Sequence, residues 1–229
     1  VHVVGDSHVG FLRGTSAMTP VWPEASENYI PGIKVYRAGS HLAYSITRAK
    51  HPGRLALKRV LQQLPKGDPV LLVYGEIDCR FQVAKRAQQQ NRTIAVVAEE
   101  VAEQYVAAAA RLCGARPLAF LASCPAMPEN PIWKGMYVGT LAQRARAVKA
   151  FNRALHAAAN ERGLPVIDIT RQLGHSPRAL EGWYSDRVHL APKAAPLVID
   201  RLAELGWLAD AATTRAVALP RICPASLKQ

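Results

Sequence analysis

Long uncharged apolar segments are missing from this chain of 229 residues. A helix that crosses a membrane needs roughly 20 consecutive apolar residues, so the sequence predicts no membrane span. No amino-terminal secretory signal is visible either. Hydrophobic residues make up 49% and charged residues 20% of the chain, which is typical of a globular protein. The length suits one domain over residues 1–229, with no clear periodicity from about residue 211 onward.

Acidic residues and aromatic residues are both scarce. There are 17 Asp and Glu against 29 Lys and Arg, which gives a net charge of +12. Such a charge would suit a polyanionic partner such as nucleic acid or an acidic polysaccharide. However, the basic residues are dispersed, and the aromatic residues (7%) are not interleaved with them as base-stacking platforms would require. The sequence therefore favours solvated basic helix faces over a nucleic-acid partner.

Closely paired cysteines are absent. The four cysteines are Cys79, Cys113, Cys124 and Cys223, and no two of them form a CxxC pair, which excludes the usual zinc-site spacing. No metal and no cofactor is predicted. The cysteines are interpreted as separate reduced thiols, which favours a cytoplasmic location. A disulfide between strand ends is the alternative.

Apolar runs alternate with longer helical patterns along the chain. The run at 70–74 is almost continuously apolar, as expected for a parallel strand buried on both faces. Predicted strands occupy 1–4, 33–36, 70–74, 117–122 and 164–169, and predicted helices occupy 54–64, 83–112 with an interruption near 90–92, 139–162 and 192–208. This alternation predicts an α/β fold of three layers, with a five-stranded parallel sheet between helices on both faces. Ligands of such sheets bind outside the carboxyl ends of the strands.

The segment Gly5-Asp6-Ser7-His8 directly follows the first predicted strand. At that position the Ser7 hydroxyl would point into the crevice at the sheet edge. A serine hydroxyl is a weak nucleophile until a neighbouring base removes its proton. The alternative is structural, because Asp6 or Ser7 could simply cap the helix that follows.

A candidate base lies far downstream, in the segment Asp186-Arg187-Val188-His189. A carboxylate three residues before a histidine can accept a hydrogen bond from Nδ1–H and leave Nε2 free to act as a base. The alternative is a surface turn before the last helix. Together, the two segments supply a serine, an aspartate and a histidine at the same predicted sheet edge.

In these segments the chain resembles the SGNH/GDSL-type hydrolases, a superfamily of flavodoxin-like esterases. Gly5-Asp6-Ser7 matches the first block of that family, with His8 where leucine is commonest. Ala38-Gly39-Ser40 matches the glycine block, and the segment 186–189 matches the last block. The resemblance spans nearly the whole chain in the right order.

The resemblance implies a role for each matched residue. Ser7 would be the nucleophile, His189 the base and Asp186 the residue that orients the base. The backbone amides of Gly39 and Ser7 would form the oxyanion hole.

The third block departs from the family pattern of Gly-x-Asn-Asp. The stretch here is Gly75-Glu76-Ile77-Asp78-Cys79-Arg80, so Ile77 stands where the asparagine would donate to the oxyanion. The loss of one such donor typically costs about 10²–10³ in rate. Arg80 could replace the donor, or it could form an ion pair with Glu76 or Asp78. Alternatively, Glu76 and Asp78 could form a polar edge that binds a sugar.

Several other side chains are weaker candidates for substrate contact. His8 could touch substrate or merely cover the start of the helix. Trp183 and Tyr184 could stack on a sugar ring or pack the loop against the core. Ser123-Cys124-Pro125 is expected to line the sheet edge, and Cys124 has no visible partner that would make it a nucleophile. Asn130 could reach the pocket from a loop, and no partner is visible for His41, His51, His156 or His175.

The sequence therefore predicts ester chemistry through an acyl-enzyme on a serine. The expected substrate is a small molecule or a saccharide that carries an O-acyl group, in particular an acetyl group. Hydrolysis is favoured, but transfer of the acyl group to a sugar hydroxyl would use the same residues. A binding module with little or no turnover is a third hypothesis, which Ile77 favours. The oligomeric state stays open.

Overall fold

A parallel sheet of five strands forms the centre of the protein in the computed structural model. The structure describes residues 1–131, 135–174, 176–208 and 214. The strand order is β2-β1-β3-β4-β5. The strands are β1 (His2–Gly5), β2 (Lys34–Arg37), β3 (Val70–Val73), β4 (Leu118–Leu121) and β5 (Val166–Ile167). The predicted parallel five-stranded sheet is confirmed.

Helices connect the strands and continue after the last one. Among the described residues, two short 3₁₀ helices (Ser7–Arg13 and Pro192–Ala194) and one π-helical turn (Asp78–Gln82) accompany the α-helices. The α-helices are α1 (Ala43–Thr47), α2 (Pro52–Gln63), α3 (Val83–Gln89), α4 (Ile94–Cys113), α5 (Leu141–Asn160), α6 (Thr170–Leu173), α7 (Pro177–Glu181) and α8 (Ala195–Glu204).

The sheet buries apolar side chains on both faces. Alternate residues of a strand point to opposite faces, so Leu72 packs into one hydrophobic cluster while Leu71 packs into the other. The first cluster is completed by α2, α4 and α5, and the second by the first 3₁₀ helix and α8. The structure is thus an α/β sandwich of the flavodoxin-like kind, as the sequence predicts.

The break in the long predicted helix is confirmed. Helix α3 ends at Gln89, and α4 begins at Ile94 after a cap in which the Thr93 side chain accepts a hydrogen bond from the amide of Val96. Between them, Asn91 takes a left-handed conformation with φ of 49°. Asparagine tolerates this conformation better than most residues, so the local sequence determines where the helix stops.

Three helices and the length of one strand differ from the predictions. Helices α1, α6 and α7 have five residues or fewer, which is too short for an apolar periodicity to show. The strand predicted at 164–169 pairs only over Val166–Ile167, because β5 lies at the edge of the sheet beside β4 alone. The helix predicted at 192–208 divides into a 3₁₀ turn and α8.

The sheet order creates a crevice at the carboxyl end of β1. The chain pairs β1 with β2 on one side and with β3 on the other. In open α/β sheets such a switch point is the usual place for a ligand. None of the described helices is long and apolar enough to cross a membrane. That residues 1–229 form one domain stays a prediction, and the predicted tail from residue 211 lies, except for Thr214, outside the described residues.

Candidate active site

The first site residue, Ser7, leaves β1 at the crevice. Gly5 comes so close to β3 that a Cβ atom there would lie 2.1 Å from the backbone oxygen of Val73, so only glycine fits. Asp6 caps the 3₁₀ helix, with its Oδ1 accepting a hydrogen bond of 2.8 Å from the amide of His8. The capping role therefore belongs to Asp6, and the Ser7 side chain is free to face the partly exposed crevice.

The distant histidine meets this serine. His189 Nε2 lies 2.8 Å from Ser7 Oγ, and His189 Nδ1 lies 2.7 Å from Asp186 Oδ2. Both distances are within the hydrogen-bond reach that is needed between a nucleophile and its base, and between that base and the residue that orients it. The structure thus brings together three residues that span 182 positions of the chain.

The loop from Asp186 to His189 is fixed by its own backbone. Asp186 Oδ1 accepts hydrogen bonds from the amides of Val188 (2.9 Å) and His189 (2.7 Å). Burial alone would raise the pKa of Asp186, but the hydrogen bonds from His189 and from these amides outweigh it and lower the pKa to about 2. Asp186 is therefore a carboxylate at any pH at which the protein would work.

One candidate from the sequence supports this loop from outside. Asn130 Nδ2 donates a hydrogen bond of 2.6 Å to the backbone oxygen of Asp186. Arg187, in the middle of the loop, has a φ of 63°, an unusual value for a residue with a side chain. Asn130 thus reaches the site as the loop prediction suggested, but it holds the backbone of the Asp186 loop in place.

The candidate oxyanion hole consists of two backbone amides. Gly39 follows β2 with a φ of 107°, where a Cβ atom would lie 2.8 Å from His41 Nε2. The neighbouring Ala38 amide donates to the Gly5 backbone oxygen at 2.7 Å, which ties the glycine loop to the end of β1. No atom of the described residues accepts a hydrogen bond from the amide of Ser7 or of Gly39. Both amides are therefore available to a ligand.

Asp78 of the third block has a structural role, which corrects the predicted sugar-binding edge. Its side chain is fully buried and accepts hydrogen bonds from the amides of Ala43 (2.7 Å) and Tyr44 (3.1 Å), at the start of α1. Burial raises the pKa of Asp78 to about 7, although these two amides oppose the shift. A carboxylate used in this way is not exposed to a substrate.

Arg80 forms an ion pair, which corrects its predicted place in the oxyanion hole. Its Nε lies 2.8 Å and 3.1 Å from the two carboxylate oxygens of Glu76, and Nη1 donates to the backbone oxygen of Met136 at 2.9 Å. The guanidinium group also lies over the ring of Tyr137, 5.5 Å from its centroid. Of the two interpretations that the sequence left open, the structure has the ion pair with Glu76.

His8 contacts both carboxylates next to it, and the sequence reasoning missed this arrangement. Its Nδ1 lies 2.8 Å from Asp6 Oδ1, and its Nε2 lies 3.1 Å from Glu76 Oε2, an ion-pair contact in which the N–H is not well aimed at the oxygen. The His8 ring is only 5% exposed and lies 4.8 Å from the ring of His189. His8 therefore covers the base, and its predicted contact with substrate is corrected.

The charges in this cluster are mutually stabilised. Burial alone would lower the pKa of His8, but Glu76 and Asp6 outweigh it and raise the pKa to about 10. Burial alone would raise the pKa of Glu76, but His8 and Arg80 lower it to about 2. His8 is therefore an imidazolium and Glu76 a carboxylate at neutral pH. The signal in the sequence was that the first and third blocks both depart from the family pattern, each with an ionisable residue.

Trp183 and Tyr184, the aromatic pair before the last block, mainly pack against neighbouring residues. The Tyr184 hydroxyl donates to the backbone oxygen of Pro125 at 2.6 Å, and the Lys193 ammonium lies 5.2 Å from the Trp183 ring centroid. Both rings are partly buried against the second hydrophobic cluster. The packing interpretation fits these contacts better than stacking on a sugar.

The segment after β4 lines the same edge without supplying a nucleophile. The backbone amide of Ser123 donates a hydrogen bond to Asn152 Oδ1, and Asn152 Nδ2 donates one to the backbone oxygen of Ser123, both at 2.8 Å. Cys124 is buried, and burial raises the pKa of its thiol, so it is not a reactive thiolate. Cys79, Cys113 and Cys124 are free thiols, as predicted, and Cys223 lies outside the described residues.

Two of the remaining histidines have partners, contrary to prediction. His156 Nε2 lies 3.1 Å from Asp168 Oδ2, and His51 Nδ1 accepts from the amide of Gly53 at the start of α2. The ring of His41 meets the ring of His51 edge-on, 6.3 Å away. His175 lies outside the described residues. In the described part of the chain, no group of three or more His, Cys, Asp or Glu side chains could hold a metal ion.

Comparison with known proteins supports the fold at low sequence identity. No protein-family model matches the chain, and no curated protein matches it significantly by sequence. Solved structures do match. A lipase/acylhydrolase from Enterococcus faecalis superposes with a TM-score of 0.53 and 15% identity over 89% of this chain and 96% of its own.

Two further structures match to a similar degree. A carbohydrate acetylesterase from Sinorhizobium meliloti gives a TM-score of 0.52 and 17% identity over 89% of this chain and 99% of its own. The native aryl esterase of M. smegmatis gives a TM-score of 0.51 and 15% identity over 90% of this chain and 98% of its own. The resemblance read from the sequence is thus confirmed at the level of the fold: this chain has the fold of the SGNH/GDSL-type hydrolases.

Proposed function

We propose that this protein is a serine ester hydrolase that removes O-acyl groups, in particular acetyl groups, from a carbohydrate or another small alcohol. The observation that carries the proposal is the continuous pair of contacts from Ser7 Oγ to His189 Nε2 and from His189 Nδ1 to Asp186 Oδ2. Chance rarely aligns a hydroxyl, an imidazole and a carboxylate at the ligand-binding edge of an α/β sheet. The described side chains supply this chemistry without a cofactor.

The first half of the reaction forms an acyl-enzyme. His189 Nε2 accepts the proton of the Ser7 hydroxyl while Oγ attacks the carbonyl carbon of the ester. The negative charge that develops on the carbonyl oxygen accepts hydrogen bonds from the amides of Ser7 and Gly39. The tetrahedral intermediate then collapses, the C–O bond to the alcohol breaks, and the alcohol oxygen takes the proton from His189.

The second half returns the enzyme to its starting state. His189 removes a proton from water, and the hydroxide oxygen attacks the acyl carbon on Ser7. Collapse of this second intermediate breaks the bond to Oγ, which recovers its proton from His189, and the carboxylic acid leaves. Asp186 keeps Nδ1–H in place throughout, because its low pKa leaves it ionised next to the imidazolium that forms.

The missing side-chain donor sets an expectation for the rate. The side chain of Ile77 has no polar atom, and Arg80 is held by Glu76, so the oxyanion would rely on the two backbone amides alone. One absent donor typically costs about 10²–10³ in turnover. We therefore expect a slow enzyme on activated test esters, and this expectation separates it from a binding module with no turnover.

The proposed substrate class rests on the site and on one structural relative. The relative from S. meliloti is named as a carbohydrate acetylesterase, and the site contributes the contacts of Ser7, His189 and Asp186. The same residues could transfer the acyl group to a sugar hydroxyl if that hydroxyl replaced water. A cytoplasmic location stays a prediction, and the oligomeric state stays open.

A labelling experiment tests the proposal directly. The protein is incubated with a fluorophosphonate, and the modified peptide is located by mass spectrometry; we expect modification at Ser7. With p-nitrophenyl acetate we expect a burst of p-nitrophenol followed by slow turnover. The Ser7→Ala variant should lose both signals, and Ser16→Ala, which changes an exposed serine outside the site, should keep them. A folded wild-type protein that is neither labelled nor active would contradict the proposal.

The acyl acceptor is then identified with the same variants. Acetylated mono- and oligosaccharides are offered with and without a second, unacetylated sugar. Release of acetate alone supports hydrolysis, and acetylation of the second sugar supports transfer. Neither product should form with Ser7→Ala.

A further inference from the structure

Four charged side chains form a continuous buried chain beside the candidate base. Asp6 contacts His8, His8 contacts Glu76, and Glu76 contacts Arg80, so the charges alternate along the chain. Asp6 is fully buried, and His8 and Arg80 are less than one-tenth exposed. Such a cluster is stable only if each charge keeps its partner, because an unpaired buried charge is costly.

The cluster joins the two blocks in which this sequence departs from the SGNH/GDSL pattern. His8 stands where the first block commonly has leucine, and Glu76 and Arg80 belong to the third block, which lacks the asparagine. His8 and Glu76 are 68 positions apart in the sequence, but His8 Nε2 and Glu76 Oε2 are 3.1 Å apart in the structure. The residues that differ from the pattern in the first block and in the third block therefore contact one another.

We propose that His8 is a charged positioning residue for the Ser7–His189 pair, which supports the ring of His189 and balances two carboxylates, the fully buried Asp6 and the partly buried Glu76. The role depends on the proposed serine chemistry, since His8 itself touches no reacting atom. The His8 ring lies 4.8 Å from that of His189 at an interplanar angle of 36°, and Ser7 is its neighbour in the chain. An apolar residue at position 8 could fill the same space, but it could not balance the carboxylates.

The charge balance decides what happens when His8 is replaced by a neutral residue. In the wild-type cluster the two carboxylates are balanced by His8 and Arg80. Without the charge of His8, one negative charge remains uncompensated next to His189. A nearby negative charge favours the protonated form of an imidazole, so the base would then lose its proton only at a higher pH.

Other ionisable groups face the cluster, and none replaces His8. Burial raises the pKa of Tyr74 at the end of β3 and of Cys124 after β4, so both stay neutral. Burial lowers the pKa of His41, which faces Asp6 from the glycine loop. Asp78 is close enough to Asp6 for their charges to interact, and Asp186 contacts the far side of His189. All of these groups are unchanged when His8 alone is replaced.

The test measures the histidine rings directly. The protein is produced with ¹⁵N-labelled histidine, and ring resonances are followed by NMR from pH 5 to pH 9. In the wild type we expect both ring nitrogens of His8 to stay protonated throughout. In His8→Gln we expect the titration midpoint of the His189 ring to move up by about one pH unit. The matched control is His156→Gln, which removes a half-exposed histidine from its pair with Asp168, outside the site.

Kinetics provide a second readout that a purely structural role would not change. In His8→Gln the acid limb of the kcat/KM profile should move to higher pH by the same amount as the ring titration, with KM unchanged and kcat reduced. His8 titrating near 6.5 in the wild type, or a His8→Gln variant with an unchanged His189 midpoint, would overturn the proposal. If His8→Gln does not fold, Glu76→Gln serves instead and should lower the pH at which His8 loses its proton.

The two proposals fail in different ways. The ring titrations need no turnover, so they decide the role of His8 even if Ser7 proves unreactive. Conversely, if Ser7 is labelled but His8 titrates near pH 6.5, the proposed serine chemistry stands and only the positioning role of His8 is rejected.

Discussion

The two sides of the crevice differ in how closely their residues match the motif pattern. On one side, the segment from Asp186 to His189 has the expected residues, and its contacts of 2.7 Å and 2.8 Å are those that the motif predicts. On the other side, the stretch from Glu76 to Arg80 has an unexpected set of residues, and Glu76 pairs with Arg80 and with His8. The comparison shows that one side of the candidate site has the residues that the motif predicts, while the other side has a different set.

The physical reason lies in what each side must do. In the proposed mechanism the Asp186 side moves a proton, and only a small set of side chains at fixed distances can do that. The third-block side supplies hydrogen-bond donors and support, which several different residues can provide. The predictions below test this difference, beginning with the change that should have the largest effect.

Asp186→Asn, on the side that matches the motif, should nearly abolish turnover. The asparagine keeps the shape of the side chain but no longer stabilises the protonated imidazole, and an analogous change costs about 10⁴ in kcat in a serine protease. Steady-state hydrolysis of p-nitrophenyl acetate measures the loss. A change of less than tenfold would mean that His189 does not act as the base.

Gly39→Ala should reduce kcat/KM by about 10²–10³, the usual cost of one lost oxyanion donor. The backbone at this position has a φ of 107°, and the added Cβ would come within 2.8 Å of His41 Nε2, so the amide must shift. Gly67→Ala is the matched control, because it also has a positive φ but no atom within 4 Å of the added Cβ. Equal losses in the two variants would argue against an oxyanion role for Gly39.

Asp78→Ala, on the third-block side of the crevice, should lower the stability of the folded protein. The change leaves the buried amides of Ala43 and Tyr44 without an acceptor, which should cost about 1–3 kcal/mol of unfolding free energy. Urea unfolding measures the loss, with Glu100→Ala, which breaks an exposed pair with Arg92, as the control. A large loss of kcat with unchanged stability would instead restore Asp78 to the substrate site.

The last prediction is a dependence of stability on pH that comes from His8. The pKa of His8 is about 10 in the folded protein against 6.5 in a free histidine. This contribution to stability is therefore fully present below about pH 6.5 and is lost as the pH rises through 10. Thermal unfolding at pH 6, 8 and 9.5 should show a decline that is weaker in His8→Gln than in the wild type. Parallel curves for the two proteins would contradict the pKa shift.

Much of the fold could be predicted from the sequence because its signals are local. The apolar run at 70–74 predicts a strand buried on both faces, and Leu71 and Leu72 do pack on opposite faces. The break near residues 90–92 predicts two helices, and Thr93 and Asn91 provide the cap and the turn. Helices α1, α6 and α7 could not be predicted, since five residues or fewer carry too little periodicity.

The sequence by itself determined the residue types of the proposed proton-transfer site, since Ser7, Asp186 and His189 lie in recognisable segments at the ends of predicted elements. Only the tertiary structure decided which partners the charged residues of the third block have. A carboxylate can face a sugar, begin a helix or pair with a cation, and Asp78 and Glu76 take the last two of these roles. The choice depends on which partner lies within about 3 Å in space, and the pairing of His8 with Glu76 joins residues that the sequence keeps far apart.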